Sequence, residues 1–310
     1  MNCLYCGNPL SETDTGWHRR CSRSFFGTDE VPRIDVTNET LASLATISIQ
    51  NGNAIAGVQR KLSVHLSDEG GEHRLTLVGY PAGYILKPQT RDYPQLPEIE
   101  QLTMTLAETV GIKTVPHGLV VLADGTRAYI TRRIDRNTAG SKRIPMEDTC
   151  QLSQRLTEDK YKGSYEQVAR AIARYSSRPG IDLTELFLVL LFSFLTGNAD
   201  MHLKNFSLFA PEKSWILCPA YDLVATSLVL PEDEDEMALA LNGKRRKLQR
   251  SDFLTYADTA GIHEKAATGL ISIVIGAVEK MSPLIRRSEV DRSGQERLLE
   301  IIQERRERLR

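Results

Sequence analysis

The hydrophobic pattern changes along the chain from a two-residue period to a helical period. Alternating runs such as KLSVHLSD, HRLTLVG and GYILKP predict short strands, and the Asp-Gly pair at 124–125 predicts a hairpin turn between two more. In LPEIEQLTMTLAETVGI, apolar residues including Ile99, Leu102 and Leu106 recur at three- and four-residue spacings, which predicts one amphipathic helix ending near Gly111. From about residue 145 the pattern is mostly helical. We therefore predict an α+β fold with a β-rich lobe and a helical lobe.

The composition is that of a globular protein without a strong charge bias. The chain has 310 residues, 41% of them hydrophobic, and a net charge of −1, so it can bury one large core or two lobes. The apolar run Leu186–Leu195 is shorter than the roughly 18–20 residues that span a bilayer, and no signal segment is visible at the N-terminus. We expect a cytoplasmic protein with no membrane partner. The basic run Lys244–Lys247 and the acidic run Glu232–Glu236 are typical of solvated loops, so no direct nucleic-acid binding by the chain alone is expected.

Three of the five cysteines lie in the first 21 residues, in the segment CLYCGNPLSETDTGWHRRC. A C-x-x-C pair and an H-x-x-C pair supply four soft ligands, which suit tetrahedral structural zinc with no position left for water. The predicted Zn²⁺ ligands are Cys3, Cys6, His18 and Cys21. The alternatives are a reduced segment without metal and a redox C-x-x-C, which would lack its usual strand-helix context. Cys150 and Cys218 lie in apolar contexts and are predicted to be core thiols.

These patterns suggest three divisions of the chain. Residues 1–28 form the predicted zinc knuckle, residues 29–140 the β-rich N-lobe, and residues 141–310 the helical C-lobe. The segment GTDEVPRIDV, at residues 27–36, has the composition of a linker between the first two.

Polar residues interrupt two apolar segments in LFLVLLFSFLTGNADMHLKNFSLF. Asp200 and Asn205 have the D-x-x-x-x-N spacing of kinase catalytic loops, where the acid lies near the substrate hydroxyl and the amide binds magnesium. Asp222, in CPAYDLVAT, supplies a further carboxylate. An amide and a carboxylate form an oxygen-only site suited to Mg²⁺.

A second pair of residues has the order expected of a nucleotide site. Lys87, in YILKP, lies on a predicted strand, and Glu100 lies on the predicted helix that follows it. Such a pair orients nucleotide phosphates in kinases. Each residue alone is a weak signal, because strand lysines and helix glutamates are usually solvated. The prediction rests on the order and spacing of the whole set.

The chain resembles the HipA family of serine/threonine kinases from bacterial toxin–antitoxin systems. The resemblance runs from about residue 50 to the C-terminus, through AIAGVQRKLSV, YILKP, EIEQLTMTLAETVGI, ITRRIDR, EDTCQL, GNADMHLKNFSLF and PAYDLVAT. It implies a bilobed protein-kinase-like fold and a protein that uses ATP and Mg²⁺. By this resemblance the catalytic base is Asp200, the magnesium ligands are Asn205 and Asp222, and the nucleotide-binding residues are Gly57, Gln59, Lys61, Lys87, Glu100, Arg132, Ile134, His202 and Lys204.

The resemblance also implies a protein substrate and partners. Known targets of the family are aminoacyl-tRNA synthetases, phosphorylated on a serine near their ATP site. The chain resembles the shorter, HipT-like type, in which a separate small protein replaces an N-terminal subdomain, so we expect that protein or an antitoxin as a partner. Family members carry autophosphorylated serines in the loop where this chain has Ala54 and Ala56. These alanines are either natural or introduced by design.

Two other functions fit parts of the sequence. A catalytically silent, kinase-like adaptor would keep the fold, but it has no need of Lys87, Asp200, Asn205 and Asp222 together. A zinc-dependent nucleic-acid-binding protein would use the knuckle and the run Lys244–Lys247, and it leaves the Asp200 loop unexplained. Salt-sensitive DNA binding would favour the latter.

Overall fold

The structure, a computed structural model, describes residues 1–41, 43, 61–69, 72–79, 82–136 and 142–310. The chain divides into two units. The first unit consists of Met1–Leu102, Val115–Arg143 and Arg287–Val290. The second unit consists of Thr103–Thr114, Ile144–Arg286 and Asp291–Arg310.

The first unit contains a five-stranded antiparallel sheet. Its strands are β1 (Leu62–Glu69), β2 (Glu72–Leu77), β3 (Tyr84–Lys87), β4 (His117–Val121) and β5 (Arg127–Arg132), in the order β2-β1-β3-β5-β4. The predicted hairpin joins β4 to β5, and Gly125 has the positive φ of 81° that its turn requires. Alternating apolar side chains such as Val64 and Leu86 are buried in the core of this unit. The β-rich part of the prediction is confirmed.

The helix predicted between the strands is α2, Leu96–Thr109. Its apolar positions Ile99, Leu102 and Leu106 are buried, as the spacing requires. Gly111 follows the helix with a φ of 86°, a conformation that other residues adopt at a cost.

The N-terminal segment packs onto this sheet. It contains a short helix, α1 (Arg19–Phe25), and its Trp17 and Phe25 are buried in the same core as the strands. Residues 27–36, predicted to be a linker, have no regular secondary structure, but they also pack against the sheet. The N–H of Leu75 donates to Arg33 O at 2.9 Å, and Ile34 is buried, because an apolar residue at this position completes the edge of the core beside β2.

The second unit is mostly helical, as predicted. Its helices are α3 (Thr149–Leu152), α4 (Tyr165–Tyr175), α5 (Pro179–Thr196), α6 (Arg250–Thr259), α7 (Glu264–Arg286) and α8 (Arg292–Leu309). A small antiparallel sheet orders β6 (Met146–Asp148), β7 (Ser207–Phe209) and β8 (Ile216–Leu217) as β6-β7-β8. Proline in the first turn of α5 and Gly197 after its last turn set the ends of this helix.

Two helices of the described residues are long and apolar enough to cross a membrane by length and composition alone. They are α5, with a mean hydropathy of 1.6, and α7, with 1.4. Because α5 extends beyond the run Leu186–Leu195, it reaches a length that the run itself does not suggest. Most of α5 is buried inside the protein, as in the core helices of soluble proteins, so this is weak support for a membrane span.

The charged runs and the isolated cysteines lie as expected. Arg246 binds Asp235 at 2.6 Å, and Lys244 binds Asp252 at 2.8 Å, so acidic neighbours partly neutralise the basic run. Cys150 and Cys218 are buried thiols.

Candidate active site

In the first unit, a lysine and a glutamate form a buried ion pair. Lys87 ends β3, Glu100 lies on α2, and Lys87 Nζ is 2.5 Å from Glu100 Oε1. The residues are only 3% and 0% exposed. Lys87 Nζ also lies 5.2 Å from the ring centre of Tyr129, its register partner on β5. Removing two charges from water costs more than it returns in most proteins, so stability alone does not explain this pair.

In the second unit, the polar loop after α5 has a backbone fixed on both sides. Gly197 takes the left-handed conformation, and a Cβ there would lie 2.6 Å from Ser227 Oγ. The N–H of Ala199 donates to Thr226 Oγ1 at 2.8 Å, and the N–H of Asp200 donates to Asn198 Oδ1 at 3.1 Å. These contacts hold the Asp200 main chain in one position.

The Asp200–Asn205 spacing closes a tight structure within the loop. Asn205 Nδ2 donates to the main-chain oxygen of Asp200 at 2.9 Å. Its amide nitrogen is therefore engaged as a donor, which leaves Oδ1 as the atom that can bind a cation. Asn205 is buried, so its orientation is set by this bond and by its packing.

Tyr161 is a site residue that sequence reasoning missed. Its hydroxyl donates to Asp200 Oδ1 at 2.6 Å, and burial together with the Asp200 charge raises the pKa of that hydroxyl above its usual value. The second carboxylate oxygen stays available to accept a proton from a substrate hydroxyl. No motif marks Tyr161, because it precedes the loop by a whole helix pair in sequence.

His202 lies beside Tyr161, with ring centres 5.0 Å apart in an edge-to-face arrangement. It is 6% exposed, and burial lowers its pKa despite the opposing attraction of Asp200. Burial therefore favours the neutral form of the ring. Among the residues the structure describes, none forms a hydrogen bond with His202 Nδ1.

Lys204 is held by Asp148, which the sequence indicated only as part of the EDTCQL segment. Lys204 Nζ lies 2.8 Å from Asp148 Oδ2, while Asp148 Oδ1 accepts the N–H of Gln151 and caps α3. A helix cap and a loop lysine thus share one carboxylate, which fixes the lysine head group.

Asp222 lies next to a tyrosine that ties its segment to the loop. The Tyr221 hydroxyl lies 2.6 Å from Ser207 Oγ and donates to the Lys204 main-chain oxygen at 2.9 Å. Asp222 has a φ of 57°, which is uncommon for a non-glycine residue, and its charge acts on His202. Asp222 and Asn205 offer a carboxylate and an amide oxygen, the donors that Mg²⁺ prefers.

The remaining residues implied by the resemblance are placed as follows. Arg132 ends β5, and its Nη1 lies 3.4 Å from the main-chain oxygen of Ser24. Ile134 is half-buried, and Lys61 is exposed immediately before β1. Outside the described residues lie Ala54, Ala56, Gly57 and Gln59.

The four predicted zinc ligands converge in the first unit. The ligand atoms of Cys3, Cys6, His18 and Cys21 all lie within 4.8 Å of one another. His18 Nδ1 is 3.4 Å from Cys6 Sγ and 3.7 Å from Cys21 Sγ. Bond lengths of about 2.3 Å to sulfur and 2.0–2.1 Å to nitrogen give tetrahedral S···N edges of about 3.6 Å.

Outer contacts orient these ligands further. His18 Nε2 lies 2.9 Å from the main-chain oxygen of Pro9, to which it donates a hydrogen bond. This leaves Nδ1 as the nitrogen that can bind a metal. The N–H of His18 donates to Cys3 Sγ at 3.4 Å, and Asn8 Nδ2 donates to Cys6 Sγ at 3.6 Å. The donor set and its spacing fit zinc.

Comparison with known proteins identifies relatives over most of the chain. The family described as HipA-like C-terminal domain matches residues 53–281. A Haemophilus influenzae protein named "Putative kinase" is 28% identical over 77% of this chain and 76% of its own length. The serine/threonine-protein kinase toxin HipA of Shewanella oneidensis is 27% identical over 61% of this chain. The match covers only 46% of that toxin.

A solved structure supports the fold. The Shewanella oneidensis MR-1 HipA, determined in a toxin–antitoxin complex with HipB and operator DNA, superposes with a TM-score of 0.70. The match covers 90% of this chain and 72% of that one at 21% identity. At this identity the likeness shows the fold, which is the kinase-like α+β fold predicted from the sequence.

Proposed function

Because the chain belongs to the HipA-like family, we propose that it is an ATP- and Mg²⁺-dependent serine/threonine protein kinase that acts as the toxin of a toxin–antitoxin system. The observation that carries this proposal is the loop from Gly197 to Asn205. Its backbone is fixed by the side chains of its neighbours, and its acid and amide are oriented by separate hydrogen bonds. Phosphoryl transfer depends on such positioning more than on covalent chemistry by the protein.

Each residue has a defined role in this reaction. Asp200 accepts the proton of the attacking hydroxyl, and Tyr161 holds the other oxygen of its carboxylate. Asn205 and Asp222 would hold Mg²⁺, which neutralises the charge of the transferring phosphate when bound. Lys87, kept in place by Glu100, would bind nucleotide phosphates.

Other residues would complete the nucleotide site. Lys204, fixed by Asp148, and neutral His202 would contact the phosphates of the nucleotide. Arg132 and Ile134 would border the adenine. In the loop before β1, Gly57, Gln59 and Lys61 would cover the nucleotide.

The proposed substrate and partners rest on the resemblance to the family. We propose an aminoacyl-tRNA synthetase as the substrate and an antitoxin, or a small protein replacing the N-terminal subdomain, as the partner. The related toxin's structure with HipB and DNA supports an antitoxin partner. A toxin that acts on translation would work in the cytoplasm.

The N-terminal ligands would hold one structural Zn²⁺. All four protein ligands are present, so no position is left for a reacting water. We expect about one zinc per chain in protein purified without chelator. Metal analysis that finds none would contradict this assignment.

Kinase activity is tested with labelled ATP. The purified protein is incubated with Mg²⁺, γ-labelled ATP and a bacterial lysate, and the labelled protein is identified by mass spectrometry. An Asp222→Asn variant serves as the control, because losing the carboxylate should abolish productive Mg²⁺·ATP binding without unfolding the chain. If the parent binds Mg²⁺·ATP but labels no protein, the adaptor function replaces the kinase.

A further inference from the structure

Gln101, the neighbour of Glu100 on α2, connects this helix to the zinc knuckle. Its Nε2 donates to the main-chain oxygen of Tyr5 at 3.1 Å, and its Oε1 lies 2.7 Å from His117 Nδ1. Since the Tyr5 carbonyl can only accept, the amide orientation is fixed, and His117 must donate from Nδ1. Gln101 is 8% exposed and His117 is 4% exposed, so the bond to His117 is buried and the bond to Tyr5 is partly buried.

The carbonyl that Gln101 binds belongs to the metal-binding turn itself. Tyr5 lies between Cys3 and Cys6, the two ligands of the C-x-x-C pair. A bound metal would hold both cysteines, and it would therefore restrict the direction of the carbonyl that lies between them. Without metal, the turn keeps its hydrogen bonds, such as the N–H of Cys3 donating to Asn8 O at 2.8 Å and the N–H of Gly7 donating to Cys3 O at 2.8 Å, but it loses the bonds that join Cys3 and Cys6 to the other ligands.

The knuckle also covers the outer edge of β4. The N–H of Leu119 donates to Leu4 O at 2.9 Å, and Leu119 O accepts Trp17 Nε1–H at 2.8 Å. Leu119 pairs with Tyr129 on β5, and Tyr129 pairs with Lys87 on β3. One row of paired residues, Leu119, Tyr129 and Lys87, therefore crosses the sheet from the knuckle to the lysine of the ion pair. We call it the sheet row.

A glycine permits this close approach. A Cβ on Gly118 would lie 2.6 Å from Trp17 Cζ2 and 2.7 Å from Cη2. Both distances are shorter than van der Waals contact, so the indole occupies space that any other residue at position 118 would need.

We propose that Gln101 and the zinc knuckle together position the Lys87–Glu100 pair, so that nucleotide binding depends on the integrity of the metal site. Successive residues of a helix are separated by about 100° around its axis, so anchoring Gln101 sets the direction in which Glu100 points. The knuckle acts on both partners, on Glu100 through α2 and on Lys87 through the sheet row. This inference rests on the proposed kinase function, because it assigns the pair to nucleotide binding.

The first test measures Mg²⁺·ATP affinity in a double-mutant cycle. Gln101→Met keeps the length of the side chain but removes both hydrogen bonds, and Cys6→Ser removes one metal ligand without changing α2. We expect Gln101→Met to bind Mg²⁺·ATP roughly 10-fold more weakly, since the net value of two hydrogen bonds corresponds to about one order of magnitude in an equilibrium constant. Cys6→Ser should bind at least as weakly, because the knuckle contacts both α2 and β4. Gln101→Met should keep its zinc, and the double variant should be no weaker than the weaker single variant.

Gln303→Met is the matched control, because Gln303 lies on the exposed surface of α8 and bonds only Glu307 among the contacts the structure gives it. It should bind Mg²⁺·ATP as the parent does. Unchanged affinity in Gln101→Met, or fully additive losses in the double variant, would overturn the proposal.

The second test needs no variant and no activity. Amide hydrogen exchange is measured on the α2 peptide of the parent chain with and without removal of zinc by a chelator. We expect faster exchange in α2 and β4 after zinc removal, and no change in α8. If the exchange rate of α2 is the same with and without zinc, the link between knuckle and helix is refuted. If the parent shows this link but does not bind Mg²⁺·ATP, the kinase function and the nucleotide role of Gln101 are refuted instead.

Discussion

Glu100→Leu tests whether the buried pair serves function or stability. The substitution leaves Lys87, which is 3% exposed, without its carboxylate. Removing one partner of a buried pair costs about 3–5 kcal/mol, because the remaining charge is desolvated and uncompensated. The Tyr129 ring, 5.2 Å from Lys87 Nζ, offsets about 1 kcal/mol of this through a cation–π contact. We expect the first unit to lose about 3 kcal/mol of unfolding free energy.

The double variant Lys87→Met, Glu100→Leu should behave differently. Replacing a buried pair by apolar residues of similar volume is often neutral or stabilising, so the double variant should regain the stability of the parent while losing Mg²⁺·ATP binding. The unfolding free energy is measured by urea unfolding, monitored by hydrogen exchange of amides within the first unit. Nucleotide titration measures binding. A double variant as unstable as Glu100→Leu would show that the pair stabilises the fold, and our reasoning would be wrong.

Four further outcomes are expected. Asp200→Gln should lower phosphoryl transfer by several orders of magnitude at unchanged melting temperature, and parental rates in a transfer assay would exclude Asp200 as the base. Tyr161→Phe should lower kcat about 10-fold with KM for ATP unchanged, because a hydrogen bond to a charged, partly exposed group contributes about 1.5 kcal/mol; steady-state kinetics decide this. Gly118→Ala should displace Trp17, which would move the wavelength of its fluorescence maximum, and should lower the zinc content of the purified protein. Ala54→Ser with Ala56→Ser should add phosphate, visible by intact mass, only when Asp200 is present.

Local patterns predicted the elements that depend on local interactions. The hairpin at 124–125 and the helix through Ile99 and Leu106 follow from turn chemistry and periodicity, and both lie where the sequence indicates. The cluster of Cys3, Cys6, His18 and Cys21 could be predicted because each close pair is local. The pairing of Lys87 with Glu100 could also be predicted, since Lys87 lies on a strand and Glu100 on the helix that follows it.

Contacts between distant segments could not be predicted in the same way. Tyr161 reaches Asp200 across 39 positions, and Gln101 reaches Tyr5 across 96. Neither residue belongs to a motif, and an isolated tyrosine or glutamine on a helix or turn is usually solvent-facing. The packing of the predicted linker could not be foreseen for the same reason, because only the folded sheet provides the surface that buries Ile34.

The partners of the buried charged side chains indicate which of these residues stabilise the fold and which serve function. Asp182 accepts the N–H of Leu217 at 2.8 Å, and Arg305 donates to the Phe194 main-chain oxygen at 2.6 Å, so each binds a main-chain group and stabilises the local backbone. Lys87 and Glu100 pair with each other, and replacing such a buried pair by apolar residues of similar volume is often neutral or stabilising. An adaptor that binds no nucleotide would gain nothing from that arrangement. A nucleotide with its negative phosphates gives the pair a purpose, so the pair favours nucleotide binding, and protein labelling is what separates a kinase from an adaptor that binds ATP.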